Sequence, residues 1–177
     1  ISNWEVSRVT DMQSMFAGAS ADISKWDASS KHSAFASASA FHGDISNWNV
    51  ESVTNMQGTF SRASKFNDDI SKWDVSRVKN MQDMFSGAWT FERDISKWDV
   101  SRVTNMQSMF AGASTFNGDI STWDVSSVTN MENMFMQATS FDGEIWKWDV
   151  SKVTEMSQMF LHATSFEQLL HGAAWVG

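Results

Sequence analysis

The sequence predicts an α/β solenoid: a right-handed coil of about seven turns, with short parallel strands on its concave face and short helices on its convex face. Three observations carry this. The chain repeats itself at a fixed period, each unit opens with strand-like alternation, and each unit continues with helix-like spacing.

The period comes first. "ISKWDVSRVTNMQSMF" begins at Ile95 and "ISTWDVSSVTNMENMF" at Ile120. Aligning on that isoleucine gives coils starting at Ile1, Ile23, Ile45, Ile70, Ile95, Ile120 and Ile145, with a degraded eighth at Leu170. From Ile45 onward each interval is 25 residues, and the first two are 22. Fixed periods of this size mark stacked repeat architectures, in which one unit cannot bury its own apolar face. All 177 residues form a single repeat domain. Ile1 already stands inside a repeat with no initiator Met before it, so the chain is expected to be a fragment of a longer one. The two short repeats lack different parts. The first lacks the Phe-containing loop between Ala19 and Asp22. The second lacks the equivalent of Val128–Asn130 and carries the Ala/Ser-rich stretch "FASASAF".

Composition agrees with a repeated template. Ten Trp and twelve Met stand beside no Tyr, no Pro and no Cys. Without Cys there are no disulfides, thiolate nucleophiles or Cys-held metals. A net charge of −8 argues against nucleic-acid binding, which needs a basic face. No apolar run reaches the roughly 18–20 residues of a membrane span.

The elements follow in order. In Ile95-Ser-Lys-Trp98-Asp-Val100 the apolar residues have the L-x-x-L-x-L spacing of a leucine-rich repeat. Trp98 and Val100 alternate with Asp99, so a short strand points the first two inward. Thr104 and Gln107 then form a capping box, repeated as Thr10/Gln13, Thr54/Gln57 and Thr129/Glu132. Met106, Met109, Phe110 and Ala113 fall at i, i+3, i+4 and i+7, one face of a helix. Phe116-Asn-Gly-Asp119 supplies the return turn. Stacking makes columns: Trp4, Trp26, Trp48, Trp73, Trp98, Trp123 and Trp148, and Phe16, Phe35, Phe60, Phe85, Phe110, Phe135 and Phe160. Strands need about 4.8 Å each. Helices need about 10 Å. The mismatch predicts curvature.

Several polar columns are candidates for function. Lys25, Lys72, Lys97 and Lys147 share an outward face with Asp27, Asp74, Asp99, Asp124 and Asp149. This is a zwitterionic ladder that solvates the face, or a polar recognition surface. A catalytic carboxylate pair is disfavoured, because equivalent Asp residues lack the asymmetry that separates two pKa values. A second acidic column, Asp22, Asp44, Asp69, Asp94 and Asp119 with Glu144, is a calcium candidate, although no coil has a dense D-x-D-x-D-G run. The preferred reading is that each Asp closes its own turn. Asn55, Asn80, Asn105 and Asn130, with Asp11 and Glu155 at the ends, suit a first helical turn. The column Ser2, Ser24, Ser46, Ser71, Ser96 and Ser121 is expected to bond between coils. His32, His42, His162 and His171 share no repeat position and no metal spacing. No catalytic residue, resident metal or cofactor is expected.

Departures from the template are the better binding candidates. Trp89 stands where other coils have Ser or Thr, and Trp146 replaces the column serine. Exposed Trp is enriched at binding hot spots. The candidate binding set is therefore Trp89, Trp146, Lys72, Asp74, Lys97, Asp99, Asp124, Lys147 and Asp149.

The recurring D-I-S-x-W-D-V-S-x-V-T-N-M-x-x-M-F-x-x-A-x-x-F-N-G resembles the 25/26-residue repeat of bacterial surface proteins and lipoproteins. That family is a BspA-like leucine-rich-repeat relative, a domain of unknown function also common in marine algae. The resemblance covers the chain except residues 19–40 and 167–177, where it is weaker. It implies an extracellular or cell-surface location and an adhesive or interaction role. A protein partner is expected, with no nucleic acid and no membrane span. A passive spacer in a larger assembly is the alternative.

Overall fold

In the computed structural model, residues 5–15, 44–171 and 175 are described. The coil starts at Ile1 and Ile23, the Trp4, Trp26, Phe16 and Phe35 column members, Ser2, Ser24, Asp22, Lys25, Asp27, His32, His42 and "FASASAF" lie outside them.

Among the described residues there is neither an α-helix nor an extended strand, so the expected α/β solenoid is overturned. The repeats do stack in a 25-residue register, but they are built of turns. In the coil 95–119, Trp98 N–H donates to Ile95 O (3.1 Å) and Val103 N–H to Val100 O (2.9 Å). The expected strand is thus a β-turn, Ile95–Trp98, followed directly by a second, Val100–Val103. Asp99 causes the second, because its carboxylate accepts from Ser101 N–H at 3.0 Å and folds the chain back.

The expected helix is also absent. Its N–H groups alternate between two destinations. Met106, Ser108, Phe110 and Gly112 donate forward to Asn130, Glu132, Met134 and Met136 of the next coil, at 2.7–2.9 Å. The residues between them close turns: Met109 to Met106, Ala111 to Ser108 and Ala113 to Phe110, at 3.0–3.1 Å. A helix would send every N–H to residue i−4. Here Ser108 (φ 53°) and Gly112 (φ 70°) cross into the left-handed region. Positive φ at the second central position is the mark of a type II turn. Asp83 and Gly87, Asn133 and Gln137, and Gln158 and His162 repeat the pair. Each non-Gly residue there costs roughly 1–2 kcal/mol. The bonds to the neighbouring coil offset that cost.

The pattern that suggested a helix is nonetheless fully used. Met106, Met109, Phe110 and Ala113 are all 0% exposed. Turns advancing three residues at a time bring i, i+3, i+4 and i+7 inward much as a helix does. The spacing of the stack explains why no helix forms. Phe60, Phe85, Phe110 and Phe135 follow one another at 5.5–5.6 Å between ring centroids. A helix of about 10 Å cannot fit at that rise. The mismatch that predicted a concave strand face and a convex helix face is therefore gone.

The capping box is replaced too. Asn105, not Thr104, caps the turn, its Oδ1 accepting from Gln107 N–H at 3.0 Å. Thr104 Oγ1 donates instead to Lys79 O of the preceding coil at 3.2 Å. Parallel bridges join Asn55, Asn80, Asn105, Asn130 and Glu155 in 25-residue steps. One step differs: Asn55 bridges Asp11, 44 residues earlier. Met12 and Ser14 donate to Asn55 O and Gln57 O at 2.8 and 2.7 Å. The segment 5–15 thus lies directly against the coil 45–69, and one step of the stack spans both short repeats of the sequence.

The core is a set of columns. Ile, Trp, Val, Met, Phe and Ala at equivalent positions of the coils 45–69 through 120–144 are buried. Two Phe columns run side by side, with Phe85–Phe91 at 4.0 Å and Phe110–Phe116 at 4.1 Å, both stacked. The column indoles from Trp73 to Trp148 are each anchored one coil back. Trp73, Trp98, Trp123 and Trp148 donate Nε1–H to Ile45, Ile70, Ile95 and Ile120 carbonyls at 3.0–3.1 Å. A buried donor and a buried acceptor are satisfied together. Thr59 interrupts a Met column, its hydroxyl lying 2.9 Å from Met56 O and 3.0 Å from Met12 O.

Candidate functional site

The outer surface is organised by the same turns. Asp74, Asp99, Asp124 and Asp149 each accept the N–H of the serine two residues on, at 3.0 Å. The serine hydrogen bonds, first from the side chain and then from the backbone, hold Asp74, Asp124 and Asp149 below the usual carboxylate range. Lys72, Lys97 and Lys147 are exposed beside them. The chief partner of each carboxylate is its own serine, so the column is a row of turn caps rather than a ladder paired by lysines.

The second acidic column does the same. Asp44, Asp69, Asp94 and Asp119 accept from the N–H groups of Ser46, Ser71, Ser96 and Ser121 at 2.9–3.0 Å. The N–H groups of these serines therefore serve their own coil, while one bond between coils is present at this column, from Thr122 Oγ1 to Ser96 O at 3.4 Å. All four carboxylates are held low, by the serine bonds first, although Asp69 beside Asp44 and Asp94 beside Asp119 push upward. Among the described residues no group of three or more His, Asp or Glu is placed to hold a metal ion.

The two template-breaking tryptophans are on the surface. Trp89 is 60% exposed and Trp146 44% exposed, whereas the column indoles from Trp48 to Trp148 are 3–5% exposed. The Trp89 backbone is pinned while its ring faces solvent: its carbonyl accepts from Ser114 Oγ (3.3 Å) and Thr115 Oγ1 (2.9 Å). Trp146 carries the Lys147 ammonium over its ring, 4.8 Å from the centroid. That is a cation–π contact. The two indoles sit on different coils, more than two 25-residue steps apart along the chain. Trp146 and Lys147 form one local group, and Asp149, capped by Ser151 N–H, follows two residues after Lys147. Lys72 with Asp74, and Lys97 with Asp99, recur on the coils before it.

Two features escape the sequence pattern. Leu161 (40%) and Leu169 (74%) are also exposed. Leu161 stands in a column that runs Ser61, Ser86, Ala111, Met136, Leu161, growing more apolar coil by coil. Following that column at 25-residue steps would have found it. Asp83 is the other. It stands at φ 54° and is partly buried, and burial pushes its carboxyl up against the opposing Gln82 hydrogen bond and Arg62 charge.

No helix among the described residues is long and apolar enough to cross a membrane. Neither a curated protein nor a solved structure matches the chain. A family model does match, over residues 1–34, 22–113 and 84–176, and these overlapping spans follow the repeats from one end to the other. The chain thus belongs to the repeat family described as Mycoplasma protein of unknown function, DUF285.

Proposed function

We propose that the protein is a non-enzymatic interaction module, presenting its repeat surface to a protein partner through Trp89, Trp146, Lys147 and Asp149. The observation that carries this is the contrast between indoles. The column tryptophans are buried and hydrogen-bonded, while Trp89 and Trp146 break the template and face solvent. Leaving a large apolar ring in water has no folding benefit, and such rings anchor binding sites. An adhesive role at a cell surface follows from the resemblance to surface-protein repeats and rests on that resemblance alone. Among the described residues the repeated carboxylates serve as ordinary turn caps, which supports a non-enzymatic reading because equivalent caps lack the asymmetry of an acid–base pair.

A spacer within a larger assembly is the second reading. It is favoured by uniformity: the coils 70–94, 95–119 and 120–144 repeat nearly the same hydrogen bonds. Titration of a partner isolated by affinity capture separates the two. The module reading expects Trp89→Ala or Trp146→Ala to weaken binding at least tenfold with the melting temperature unchanged. Unaltered affinity in both variants would refute those anchors and leave the spacer.

A further inference from the structure

The return turn of the coil 95–119 contains the pair Asn117-Gly118. In such a pair the backbone nitrogen after the asparagine can attack the side-chain amide, and glycine has no Cβ to block the approach. In a folded chain the reaction depends on that nitrogen. An N–H held in a hydrogen bond is not free to lose its proton and turn toward the side chain. The described asparagines divide on this point. The N–H groups after Asn55, Asn80, Asn105 and Asn130 belong to Met56, Met81, Met106 and Met131, and each donates to a carbonyl of the next coil at 2.7–2.9 Å. Trp48 after Asn47 and Met134 after Asn133 close turns at 3.1 Å. Asn49 precedes the branched Val50, and Asn67 precedes the acidic Asp68. Gly118 N–H donates to no acceptor among the described residues. Asn117 is exposed and Gly118 partly so, and water reaches both.

The amide is also held for the reaction. Asn117 Oδ1 accepts from Asp142 N–H of the next coil at 2.9 Å. That donor polarises the carbonyl and is already in place for the oxyanion that forms when Cγ is attacked. We propose that Asn117 is a deamidation site of the folded chain, where one amide link between coils becomes a carboxylate. Gly118 N gives its proton to hydroxide and bonds to Asn117 Cγ. The Cγ–Nδ2 bond breaks, and Nδ2 leaves as ammonia after taking a proton from water, which restores the hydroxide. One water molecule then opens the five-membered imide. Cleavage at Cγ gives aspartate, and cleavage at the backbone carbonyl gives isoaspartate. The sum is amide plus water to carboxylic acid plus ammonia, with no oxidant or reductant. The two products differ in the stack. Asp142 stands at the equivalent position one coil on, and its Oδ1 accepts from Glu167 N–H at 3.0 Å. Aspartate at 117 can therefore keep the link to Asp142 N–H. Isoaspartate moves a methylene from side chain to backbone and withdraws it.

Asp142-Gly143 is the internal control. It has the same glycine, but its carboxylate accepts from Glu167 N–H and Gln168 Nε2 and stays ionised, a poor target for attack. The site stands whether or not Trp89 and Trp146 bind a partner. The test is peptide mapping by mass spectrometry on the folded native chain, incubated in mildly alkaline buffer. Asn117 should convert at least about tenfold faster than Asn55, Asn80, Asn105 or Asn130, the factor that one hydrogen bond on the attacking nitrogen supplies. The product should be a mixture of aspartate and isoaspartate, and its rate should rise with pH. Asn117→Gln, which would need a larger ring, should remove the acidic species that isoelectric focusing resolves on ageing, with circular dichroism confirming the fold. An Asn117 that persists in the folded chain yet converts once the chain is unfolded in denaturant overturns the proposal. So does equal conversion at the four bonded asparagines, or an acidic species that survives Asn117→Gln.

Discussion

Among the described residues, the column indoles and the two template-breaking indoles have opposite environments, and a single substitution distinguishes them. Trp98 fills a column and donates to Ile70 O, so Trp98→Ala should cost about 3–5 kcal/mol in denaturant unfolding. Trp89 projects into solvent, and Trp89→Ala should fall within about 0.5 kcal/mol of the native chain. The carboxylates divide similarly. Asp44, Asp69, Asp74, Asp94, Asp119, Asp124 and Asp149 are held low by serine hydrogen bonds. Their folded pKa values lie below the unfolded value of about 3.9. The stability they add is present above that pH and is lost as pH falls through the folded values. Melting temperature should therefore hold near neutrality and drop steeply in acid. Asp83 has the opposite sign. Its pKa is raised by burial, so its contribution is full in acid and is lost as pH rises. Asp83→Asn removes that cost, and Asn suits the φ of 54°. The variant should melt higher than native at pH 7, and the gain should shrink toward pH 3.

At the scale of the element, the turns are the unit that the sequence concealed. The columns were legible, because Trp, Val, Met and Phe recur every 25 residues and all point inward. The backbone was not. Spacing of i, i+3, i+4 and i+7 says which side chains share a face, and a run of alternating turns satisfies it as well as a helix does. The Asp-x-Ser and Asn-x-Gln pairs held the missing information, since each is a side chain capping an N–H two residues on. So did Gly, Ser, Asn and Asp at the positive-φ positions. The exposed tryptophans were legible as departures from the template, whereas Asp83 was not, because its burial depends on the coil beneath it. Two glycines test the turns. Gly112 sits at φ 70°, and a methyl added there would stand 3.8 Å from its nearest neighbours, so Gly112→Ala should cost about 1 kcal/mol from backbone alone. At Gly143 the same methyl would fall 2.8 Å from the ring of Phe141, which is stacked on Phe135 and cannot move away. Gly143→Ala should cost about 1–3 kcal/mol by overpacking. Chemical denaturation of the two variants measures both.

Across the whole molecule, successive described repeats share backbone hydrogen bonds in a 25-residue register, with turns rather than helices between them. The Phe columns, the indole anchors and the asparagine ladder all depend on it. Scalar couplings transmitted through hydrogen bonds, measured by NMR on the deuterated, isotope-labelled chain, read those partners atom by atom. The expected result is coupling from Met106 N to the Asn130 carbonyl carbon, and from Phe110 N to that of Met134. Coupling from Phe110 N to the Met106 carbonyl carbon instead would mean that a helix occupies the segment, and would contradict the account.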